Sequence, residues 1–417
     1  MKNIYKIAIR NILRYKRRSL MTFLLIIVGV VMVIVFSGVS LSFKNMMVGQ
    51  ITDSMLGHLQ IHKKGYLSSI DNMPLHLNIN ESEMNNIEKL FDNQKDEIEA
   101  YSLRIKLGAM LSNFQRTTNI RLTAVYPEME NKTCPNLISR IKDFSKEPDK
   151  FIQPGELILP ENLANGMNLK VGNEVVLVAT NKDGSVNGIG LEISGIIESL
   201  IGPTGRDGYI HIDDAKNLLR ITENEVNEVT IRLKNINKLN RAEKSFGKEL
   251  GKFVNKKGMP AFELHTWPNL SPFSTIATII DILIITVKIV LISIVLISIL
   301  NVMMMAVYER VREIGTMSAI GTLPSKILWL FVTEGFFLGF ISTVVGIIIG
   351  VLSLFFINLA EIHFSFGRMK NLLLETSIDS VELLTIFIIV MVVAIISSFQ
   401  PALKASRMNP VDSLRHI

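Results

Sequence analysis

Four long stretches without a charged residue constrain this chain more than any other feature of its sequence. They cover residues 19–43, 289–307, 335–360 and 383–403. An α-helix needs about 20 apolar residues to cross the hydrocarbon core of a bilayer. Lipid offers no hydrogen-bond partners to a polypeptide backbone, so such stretches cross it as helices. The sequence therefore predicts four transmembrane helices.

The segment between the first and second apolar stretches has a different composition, with many charged and polar residues. It is long enough to build a hydrophobic core of its own. Short strand patterns alternate with short helix patterns along it, which is typical of an α+β domain. We predict a membrane α-helical protein whose large α+β extracytoplasmic domain covers residues 56–270.

Local patterns within this domain predict individual elements. Alternation at residues 57–62 predicts a half-buried strand, and spaced apolar residues over 80–99 predict a helix capped by Asn80 or Ser82. Further strands are predicted at 105–111, 118–125, 191–197 and 229–233. Residues 157–179 predict a strand, a short helix, a glycine turn and a second strand that ends at the turn 181–184. The stretch from Tyr209 predicts a strand that runs into a helix capped near Asp213. A helix is predicted over 238–250.

The first and second spans are expected to continue as helices beyond the bilayer. Apolar residues recur at helical spacing from residue 43 to residue 55, although Lys44 and Asp53 interrupt the uncharged run. Asp281 and Lys288 lie just before the second run. Charged side chains at bilayer depth are costly. We therefore predict paired helical stalks, so that 19–55 holds the first span with its stalk and 274–307 holds the second.

The distribution of Lys and Arg predicts the orientation of the chain. Residues 1–18 contain seven basic residues and no acidic one, and the segments 308–326 and 404–417 are also rich in Lys and Arg. Basic loops stay in the cytoplasm. Both termini and residues 308–326 are thus expected to be cytoplasmic, in a bacterial cytoplasmic (inner) membrane. The third span is expected at 327–360, a short outer loop at 361–382 and the fourth span at 383–403. The formal net charge of +6 reflects this topology, and no nucleic-acid partner is expected.

The two cytoplasmic segments at the start and middle of the chain have amphipathic patterns. Residues 1–18 place Ile4, Ala8 and Ile12 on one face of a helix, which is expected to lie in the membrane interface. In residues 308–321, Glu309, Arg312 and Glu313 share one helical face. That segment is either a short amphipathic helix on the membrane surface or a solvated loop between two spans.

Small residues recur in the third span at a spacing that permits close helix packing. The pairs are Gly335 with Gly339 and Gly346 with Gly350. Each pair follows the small-xxx-small pattern of membrane helix contacts. Glu334 precedes them, and we expect it to interact with basic residues of the 308–326 segment or to reach the interface.

Other polar clusters were weighed as candidate sites. His58 and His62 alternate with apolar residues on a strand without a nearby carboxylate, so no metal site is predicted. Cys134 is the single cysteine, which excludes an intrachain disulfide. A glycine-rich loop at 202–208 is either a flexible turn or a partner-binding loop. Its residues of interest are Gly202, Pro203, Gly205, Arg206 and Gly208.

Two stretches resemble FtsX-like ABC permeases, the family that includes MacB-like exporters and lipoprotein-releasing Lol permeases. The first is E-R-V-R-E-I-G-T-M-S-A-I-G-T-L-P-S-K-I-L, starting at Glu309, and the second is P-A-L-K-A-S-R-M-N-P-V-D-S-L-R, starting at Pro401. The opening of the chain and most of the outer domain are also similar to the family. In the family's outer core domain a second lobe is inserted into a first, so the resemblance implies an inserted lobe at about 150–222. Pro324 departs from its usual pattern, and so does the stretch 181–188, which lacks the proline of the hook found in some Lol permeases.

The resemblance implies a role for the 308–326 segment as a coupling helix that docks on a separate ABC ATPase. The residues carried over are Glu309, Arg310, Arg312, Glu313, Gly315 and Gly321. It also implies a second permease copy or paralogue, and a periplasmic carrier or membrane-fusion protein as an outer partner, with membrane lipids around the spans. ATP and Mg²⁺ would be bound by the ATPase, so this chain is expected to need no cofactor.

The sequence contains no pattern for bond-breaking chemistry. No G-x-x-x-x-G-K-[ST] motif is present, and no catalytic constellation is recognisable, so we expect a transporter permease subunit and not an enzyme. Two functions are compatible with the sequence. One is mechanical release or export of a lipoprotein or of a lipophilic or peptide substrate. The other is signalling in the FtsX manner, with the outer domain activating a cell-wall hydrolase.

The predicted topology can be tested by cysteine accessibility in intact cells. A cysteine in place of Ser185 should react with a membrane-impermeant thiol reagent added outside. A cysteine in place of Ser318 should react only after the cells are lysed. The reverse labelling pattern would contradict the orientation.

Overall fold

The computed structural model describes residues 7–8, 10–11, 14, 16–142, 146–198, 205–255, 258–270, 273–366 and 369–415. The chain forms two compact units. The helical unit combines Met1–Met46 with Ala277–Ile417, and the sheet unit covers Met47–Ile276.

The helices and strands follow in chain order. The helices are α1 (Lys16–Ile51), α2 (Glu81–Asn93), α3 (Pro127–Thr133), α4 (Glu161–Met167), α5 (Ile212–Leu219), α6 (Leu239–Leu250), α7 (Trp267–Leu270), α8 (Phe273–Glu309), α9 (Val311–Ala319), α10 (Pro324–Leu359), α11 (Ser380–Ser406) and α12 (Pro410–Arg415). The strands are β1 (Leu59–Lys63), β2 (Ile98–Ser112), β3 (Thr117–Val125), β4 (Ile141–Lys142), β5 (Glu156–Pro160), β6 (Glu174–Thr180), β7 (Val186–Ile197), β8 (Asp207–His211), β9 (Glu228–Leu233), β10 (Phe262–Thr266), β11 (His363–Phe366) and β12 (Met369–Leu373). A π-helical turn, Thr52–Leu56, follows α1.

Within the described residues, four helices are long and apolar enough to cross a membrane, as predicted. They correspond to Ser19–Leu56, Ser274–Glu309, Pro324–Leu359 and Ser380–Ser406. In the segment before α1, Ala8 is buried while Arg10 and Arg14 are exposed, which suits the predicted amphipathic helix. Ile4 and Ile12 lie outside the described residues.

Helices α1 and α8 are much longer than a bilayer requires. They contain 36 and 37 residues, which at about 1.5 Å per residue is about 54 Å, against a hydrocarbon core of about 30 Å. The two helices are also linked where the sequence predicts stalks, because Lys44 Nζ lies 2.7 Å from Asp281 Oδ1. This pair allows both charges to persist on otherwise apolar helices.

The four glycines of α10 lie at close helix contacts with two different neighbours. A Cβ atom on Gly335 would lie 2.5 Å from Ser398 Cβ of α11, and one on Gly346 would lie 2.9 Å from Val30 of α1. The second glycine of each pair makes the same kind of contact one turn further along α10. Gly339 lies against Ala394, and Gly350 lies against Ile34. Each glycine pair thus admits one neighbouring helix, α11 or α1, against α10.

The segment 361–382 contains a feature that the sequence did not predict. Strands β11 and β12 pair in an antiparallel hairpin. Asn358 Nδ2 donates to the Thr376 carbonyl oxygen, and the Thr376 backbone N–H donates to Asn358 Oδ1, both at 2.7 Å. These bonds join the end of α10 to the segment that precedes α11. The hairpin was missed because its apolar residues adjoin a span and have no clear alternation.

The sheet unit is built on one ten-stranded sheet with the order β10-β1-β9-β2-β3-β8-β5-β7-β4. Strand β6 pairs with both β2 and β7. Six strands, β2-β3-β8-β5-β7-β6, therefore form a closed hydrogen-bonded ring. The long strand β2 makes this possible because its first half pairs with β9 and its last residues pair with β6. Alternate side chains of the ring strands are buried and form a core.

The predicted inserted lobe at 150–222 shares this sheet. It supplies β5, β6, β7 and β8, and the register places β8 parallel to β3 and β6 antiparallel to the end of β2. The strands of the lobe and the strands that flank it in sequence therefore belong to one hydrogen-bonded structure.

Strand β1 differs from its prediction as a half-buried strand. His58, Gln60 and His62 were placed on a solvent-facing side, yet all three are buried. Strands β9 and β10 flank β1 on both edges, and both of its faces are covered. A period of two shows which side chains share a face but not whether a second layer covers that face.

Helix α2 is also shorter than predicted. It ends at Asn93, and the residues from Ile98 onward join β2 instead of continuing the helix. Its start is as predicted, because the Asn80 side chain accepts a hydrogen bond from the Glu83 N–H in a capping box.

Candidate functional site

The predicted coupling segment is a short helix between two breaks. Helix α8 ends at Glu309, and Arg310 adopts a non-helical conformation before α9 begins. Gly321 then turns the chain with φ +91° ahead of α10, a conformation that favours glycine. The amphipathic helix between two spans is thus present, and the solvated-loop alternative is excluded for these residues.

Arg310 has a different position from the one predicted for a docking residue. Its side chain is 3% exposed and faces the fully buried carboxylate of Glu334 on α10. Nη1 donates to Glu334 Oε2 at 3.0 Å and Nη2 donates to Oε1 at 3.3 Å. A buried charge needs a paired partner. The guanidinium is therefore bound to Glu334 inside the helical unit and is not part of the exposed surface of the coupling segment. The expected interaction of Glu334 with a basic residue of the coupling segment is present.

Three of the other predicted coupling residues are exposed. Glu309, Arg312 and Glu313 lie at the surface at the end of α8 and in the first turn of α9. Arg14 Nη1 lies 3.7 Å from Glu313 Oε1, but both side chains are largely exposed and such a pair contributes little. With Lys326, which is also exposed, these three residues are the charged side chains at the surface of this segment.

Gly315 and Gly321 have structural positions in this segment. A Cβ on Gly315 would lie 2.6 Å from Ser413 Cβ, so α9 packs closely on α12. Gly321 is the exposed turn described above. The coupling helix is thus held on one side by the tail helix and at its start by the Arg310–Glu334 pair.

Sequence reasoning missed the apolar residues at the surface of this segment. Ile320, Leu323 and Trp329 have large exposed side chains around the turn into α10. The sequence did not predict that these side chains are exposed, because they lie close to the apolar stretch of the third span. Together with Glu309, Arg312 and Glu313 they form what we call the coupling surface.

A second constellation of charges lies inside the sheet unit. The buried Arg104 side chain donates from Nη2 to Glu130 Oε1 at 2.6 Å and from Nη1 to Glu228 Oε1 at 2.8 Å. Lys106 Nζ lies 2.6 Å from Glu228 Oε2. Burial by itself would raise the pKa of Glu228, but Lys106 and Arg104 outweigh it and hold that pKa well below its usual range. Sequence analysis missed these ion pairs because their members lie far apart in the sequence and form no motif.

This network holds the π-helical turn that follows α1. Arg104 Nη1 donates to the Met55 carbonyl oxygen at 2.7 Å, and Arg232 Nη1 pairs with Asp53 Oδ1 at 2.6 Å. The Gln60 side chain donates to the Leu56 carbonyl oxygen at 2.8 Å. We call this set of contacts the junction clamp. It fixes the residues that enter the sheet unit from α1 with charge-assisted hydrogen bonds.

His58, directly before β1, and His62 within it are both buried near this clamp. The expectation that they have no nearby carboxylate is wrong, since His58 Nε2 lies 3.7 Å from Asp53 Oδ1 and His62 Nε2 lies 4.0 Å from Glu228 Oε2. His62 Nδ1 lies 3.0 Å from the Asn227 carbonyl oxygen, and its ring stacks on Tyr66. Burial lowers the pKa of His62 to about 4. His58 Nδ1 accepts from the Leu233 N–H. In the described part of the chain, no three His, Cys, Asp or Glu side chains are grouped to hold a metal ion.

The predicted partner loop is only partly described. Gly202 and Pro203 lie outside the described residues. Gly205 is close to α4, since a Cβ there would lie 2.8 Å from Asn162 Nδ2, and Arg206 is exposed. Gly208 lies within β8, where a Cβ would meet the Ile158 carbonyl oxygen at 2.8 Å. It is buried and permits close strand packing, so it is not part of an exposed loop.

Family models match both parts of the chain. The model described as MacB-like periplasmic core domain matches residues 19–248, more than half of the chain. The model described as FtsX-like permease C-terminal matches residues 269–410, which include the coupling segment. The chain therefore belongs to the FtsX-like permeases of ABC transporters that carry a MacB-like periplasmic core domain.

Curated relatives agree with this class. The transmembrane protein LolC of the lipoprotein-releasing system of Neisseria meningitidis is 22% identical over 98% of both chains. The ABC transporter permease YtrF of Bacillus subtilis is 38% identical, over 28% of each chain. An uncharacterised ABC transporter permease of Methanocaldococcus jannaschii is 29% identical, and the chain spans about a third of its length.

Among solved structures, the chain is similar to the periplasmic region of MacB from Actinobacillus actinomycetemcomitans. The identity is 13%, the TM-score is 0.36, and the match covers 54% of this chain and 94% of that one.

Removal of the Arg310 guanidinium should destabilise the helical unit. Arg310→Met leaves the Glu334 carboxylate buried without its partner, and the loss of one member of a buried pair typically costs about 3–5 kcal/mol. The thermal unfolding midpoint of the purified full chain in detergent should fall. The double variant Arg310→Met with Glu334→Leu should recover most of this loss.

Lys326→Met is the matched control, since it removes an exposed cation from the same segment. Its midpoint should change little. Equal midpoints for the wild type and Arg310→Met would show that the pair does not hold α8 to α10.

Proposed function

We propose that this chain is the permease subunit of an ABC transporter that couples ATP hydrolysis by a separate ATPase to motion of the sheet unit. The observation that carries the proposal is the coupling helix. Helix α9 presents charged residues outward while the Arg310–Glu334 pair and the Gly315–Ser413 contact fix it to α10 and α12. A helix held in this way passes a displacement on to the spans.

The ATPase is proposed as a partner chain because this sequence contains no phosphate-binding loop of its own. The coupling surface supplies the docking contacts. Its carboxylates and guanidinium give directional charge pairs, and Ile320, Leu323 and Trp329 supply apolar area, a combination typical of specific interfaces. ATP and Mg²⁺ would bind to that partner.

The sheet unit is proposed to be outside the cytoplasm and both termini inside, in a bacterial cytoplasmic membrane. The excess of Lys and Arg in residues 1–18 supports this orientation. Exposed apolar side chains run along α8, for example Ile282, Ile289 and Ile297, and suit either lipid or a second permease copy. A paired permease and a surrounding bilayer are therefore part of the proposal.

Motion would pass from the spans to the sheet unit through α1 and α8. Both helices are continuous and are joined by Lys44 and Asp281. Within the sheet unit, the junction clamp holds the residues that follow α1. Movement of that helix would therefore move the residues that the clamp holds.

The proposed substrate class is a lipoprotein, or a lipophilic or peptide molecule taken from the outer side of the membrane. Similarity to LolC over 98% of both chains supports lipoprotein release. The alternative is signalling to a cell-wall hydrolase. The two functions can be distinguished by what is measured outside the cytoplasm. Lipoprotein release is measured as transfer of a membrane-anchored molecule, and signalling is measured as hydrolase activity.

Charge reversal at Glu313 should disrupt ATPase docking. In Glu313→Lys, the permease should remain in the membrane while the ATPase encoded with it no longer co-purifies or hydrolyses ATP without outer work. Glu223→Lys, an exposed site in the sheet unit, is the matched control and should retain the ATPase. Full coupling in Glu313→Lys would count against the proposed docking site.

A flexible insertion should separate ATP hydrolysis from outer work. Six Gly/Ser residues inserted after Gly49 interrupt α1 ahead of the π-helical turn, so a push along the helix is absorbed. ATP hydrolysis should persist while substrate release or hydrolase activation is lost. The same insert after Gly258, in a turn of the sheet unit, should leave both intact. Retained outer work in the Gly49 variant would contradict mechanical transmission.

A further inference from the structure

Strand β1 contains a buried chain of polar groups. His62 and Gln60 lie two residues apart on it and are 0% and 1% exposed. His62 Nε2 lies 3.2 Å from Gln60 Oε1, and Gln60 Nε2 donates to the Leu56 carbonyl oxygen at 2.8 Å. On the other side of the ring, Nδ1 lies 3.0 Å from the Asn227 carbonyl oxygen. We call this chain, from the Asn227 carbonyl through His62 and Gln60 to the Leu56 carbonyl, the histidine relay.

The relay has one proton fewer than its geometry requires when the ring is neutral. Each ring nitrogen of His62 faces an oxygen that can only accept a hydrogen bond. A neutral imidazole has a single N–H, whereas the imidazolium has two. The neutral ring therefore leaves one nitrogen lone pair against an oxygen lone pair, and an unmade hydrogen bond at a buried site is unfavourable. A ring with both protons donates at both ends.

The Gln60 amide offers a second way to satisfy the neutral ring. Rotation of the amide by half a turn would bring its NH2 group to His62 Nε2, which can accept when it has no proton. The same rotation would bring Oε1 to the Leu56 carbonyl oxygen, which lies 2.8 Å from the present amide nitrogen. Two oxygen acceptors at that distance repel each other. With a neutral ring, the amide therefore satisfies either His62 or Leu56, but not both.

Charged groups on three strands surround the ring. On β9, Glu228 Oε2 lies 4.0 Å from His62 Nε2 and favours a proton there. On β2, the Lys106 ammonium opposes a second positive charge. On β10, the ring of His265 lies 6.1 Å away between centroids and opposes that charge when it is itself protonated. Glu263 is the partner of His62 in the β1–β10 register, and its carboxylate accepts from two backbone N–H groups.

Burial decides the balance between these groups. The Tyr66 ring stacks on His62 with a centroid distance of 4.8 Å and covers one face of it. Burial outweighs the attraction of Glu228 and lowers the pKa of His62 from its ordinary value of 6.5 to about 4. The unfolded chain thus takes up this proton before the folded one, so the His62 contribution to stability falls as the pH decreases from 6.5 towards 4. The ring is neutral at neutral pH and takes up one proton in acid.

The relay ends at the turn that connects α1 with the sheet unit. Leu56 is the last residue of the π-helical turn, and its bond to Gln60 is one contact of the junction clamp. Arg104 and Arg232 make the other contacts of the clamp. A guanidinium keeps its charge across the pH range in which His62 titrates. The bond from Gln60 is therefore the contact through which a proton on His62 acts on the clamp.

We propose that His62 is a proton-binding site that regulates how firmly the sheet unit holds the π-helical turn. In acid the imidazolium donates to Asn227 and to Gln60, which fixes the Gln60 NH2 group on Leu56. With a neutral ring the amide divides between two orientations, and the Leu56 carbonyl oxygen loses this donor part of the time. Acid on the side of the sheet unit thus tightens the junction clamp. The proposal deepens the proposed function and rests on it, because the clamp regulates transport only if motion passes through it.

The first experiment follows the proton. The full chain in detergent is labelled with ¹⁵N-histidine, and the His62 signals are assigned by their loss in His62→Gln. The ring nitrogens are then titrated through the pKa, and both should be protonated at the acid end. Gln60→Met removes the acceptor at Nε2 and should lower the midpoint by about one pH unit or more. Gln153→Met, at an exposed glutamine, is the matched control and should leave it unchanged. An unchanged midpoint in Gln60→Met would overturn the relay.

The second experiment follows the turn. Hydrogen–deuterium exchange of the peptide 52–58 is measured by mass spectrometry at neutral and acid pH, with rates corrected for the intrinsic effect of pH on amide exchange. The corrected rate of the wild type should fall about fivefold or more in acid. A peptide from β7 should show no such decrease. His62→Gln and Gln60→Met should both abolish the decrease, and Gln153→Met should retain it.

Two results of this experiment would contradict the proposal. Gln60→Met keeps His58, so a decrease that persists in that variant belongs to His58 and not to the relay. A wild-type rate that stays constant or rises while His62 titrates would also overturn the proposal, and that comparison needs no variant. Neither measurement uses the ATPase or a substrate. Their failure therefore leaves the proposed function intact, and failure of the Glu313→Lys prediction would leave the proton site intact.

Discussion

Charges on an apolar helix bundle must be neutralised by a partner, and this constraint organises the helical unit. Lys44 pairs with Asp281, Lys288 with Glu382 and Arg310 with Glu334. The first two pairs each join two helices, and Arg310, between α8 and α9, pairs with a residue of α10. The cost of desolvating these ions is offset only when those helices are adjacent. The pairs therefore select one arrangement of the four spans.

Glycine contacts also stabilise this arrangement, at positions that have no ion pair. Within lipid, helices gain little from the hydrophobic effect, so close backbone approach and van der Waals packing hold them together. The two glycine pairs of α10 admit α11 on one side and α1 on the other. Because α10 also contains Glu334, the helix that receives the coupling segment is the one packed closely on two neighbours. Helix α9 is thus attached to a closely packed group of helices.

Ion pairs between buried charges also stabilise the sheet unit. Arg104, Glu130 and Glu228 are fully buried, and every charge in this set is paired. Removal of one member would leave an unpaired buried ion, so the network is sensitive to any movement of the residues that it holds. Met55 and Asp53 are among them, which connects the core of the sheet unit with the turn that follows α1.

The sequence by itself determined the four spans, the long α1 and α8, the coupling helix and the small residues of α10, because run length, charge and spacing are local properties. It also offered Asn80 as one of two candidate helix caps, and the structure decided for Asn80. Only the tertiary structure showed that Arg310 is buried against Glu334, that His58 and His62 lie in a covered strand, and that Gly208 belongs to β8. It alone joined Asn113 and Arg116 to the end of α4. Burial and ion pairing depend on which distant segments meet, and periodicity along one element contains no information about the layer that covers it.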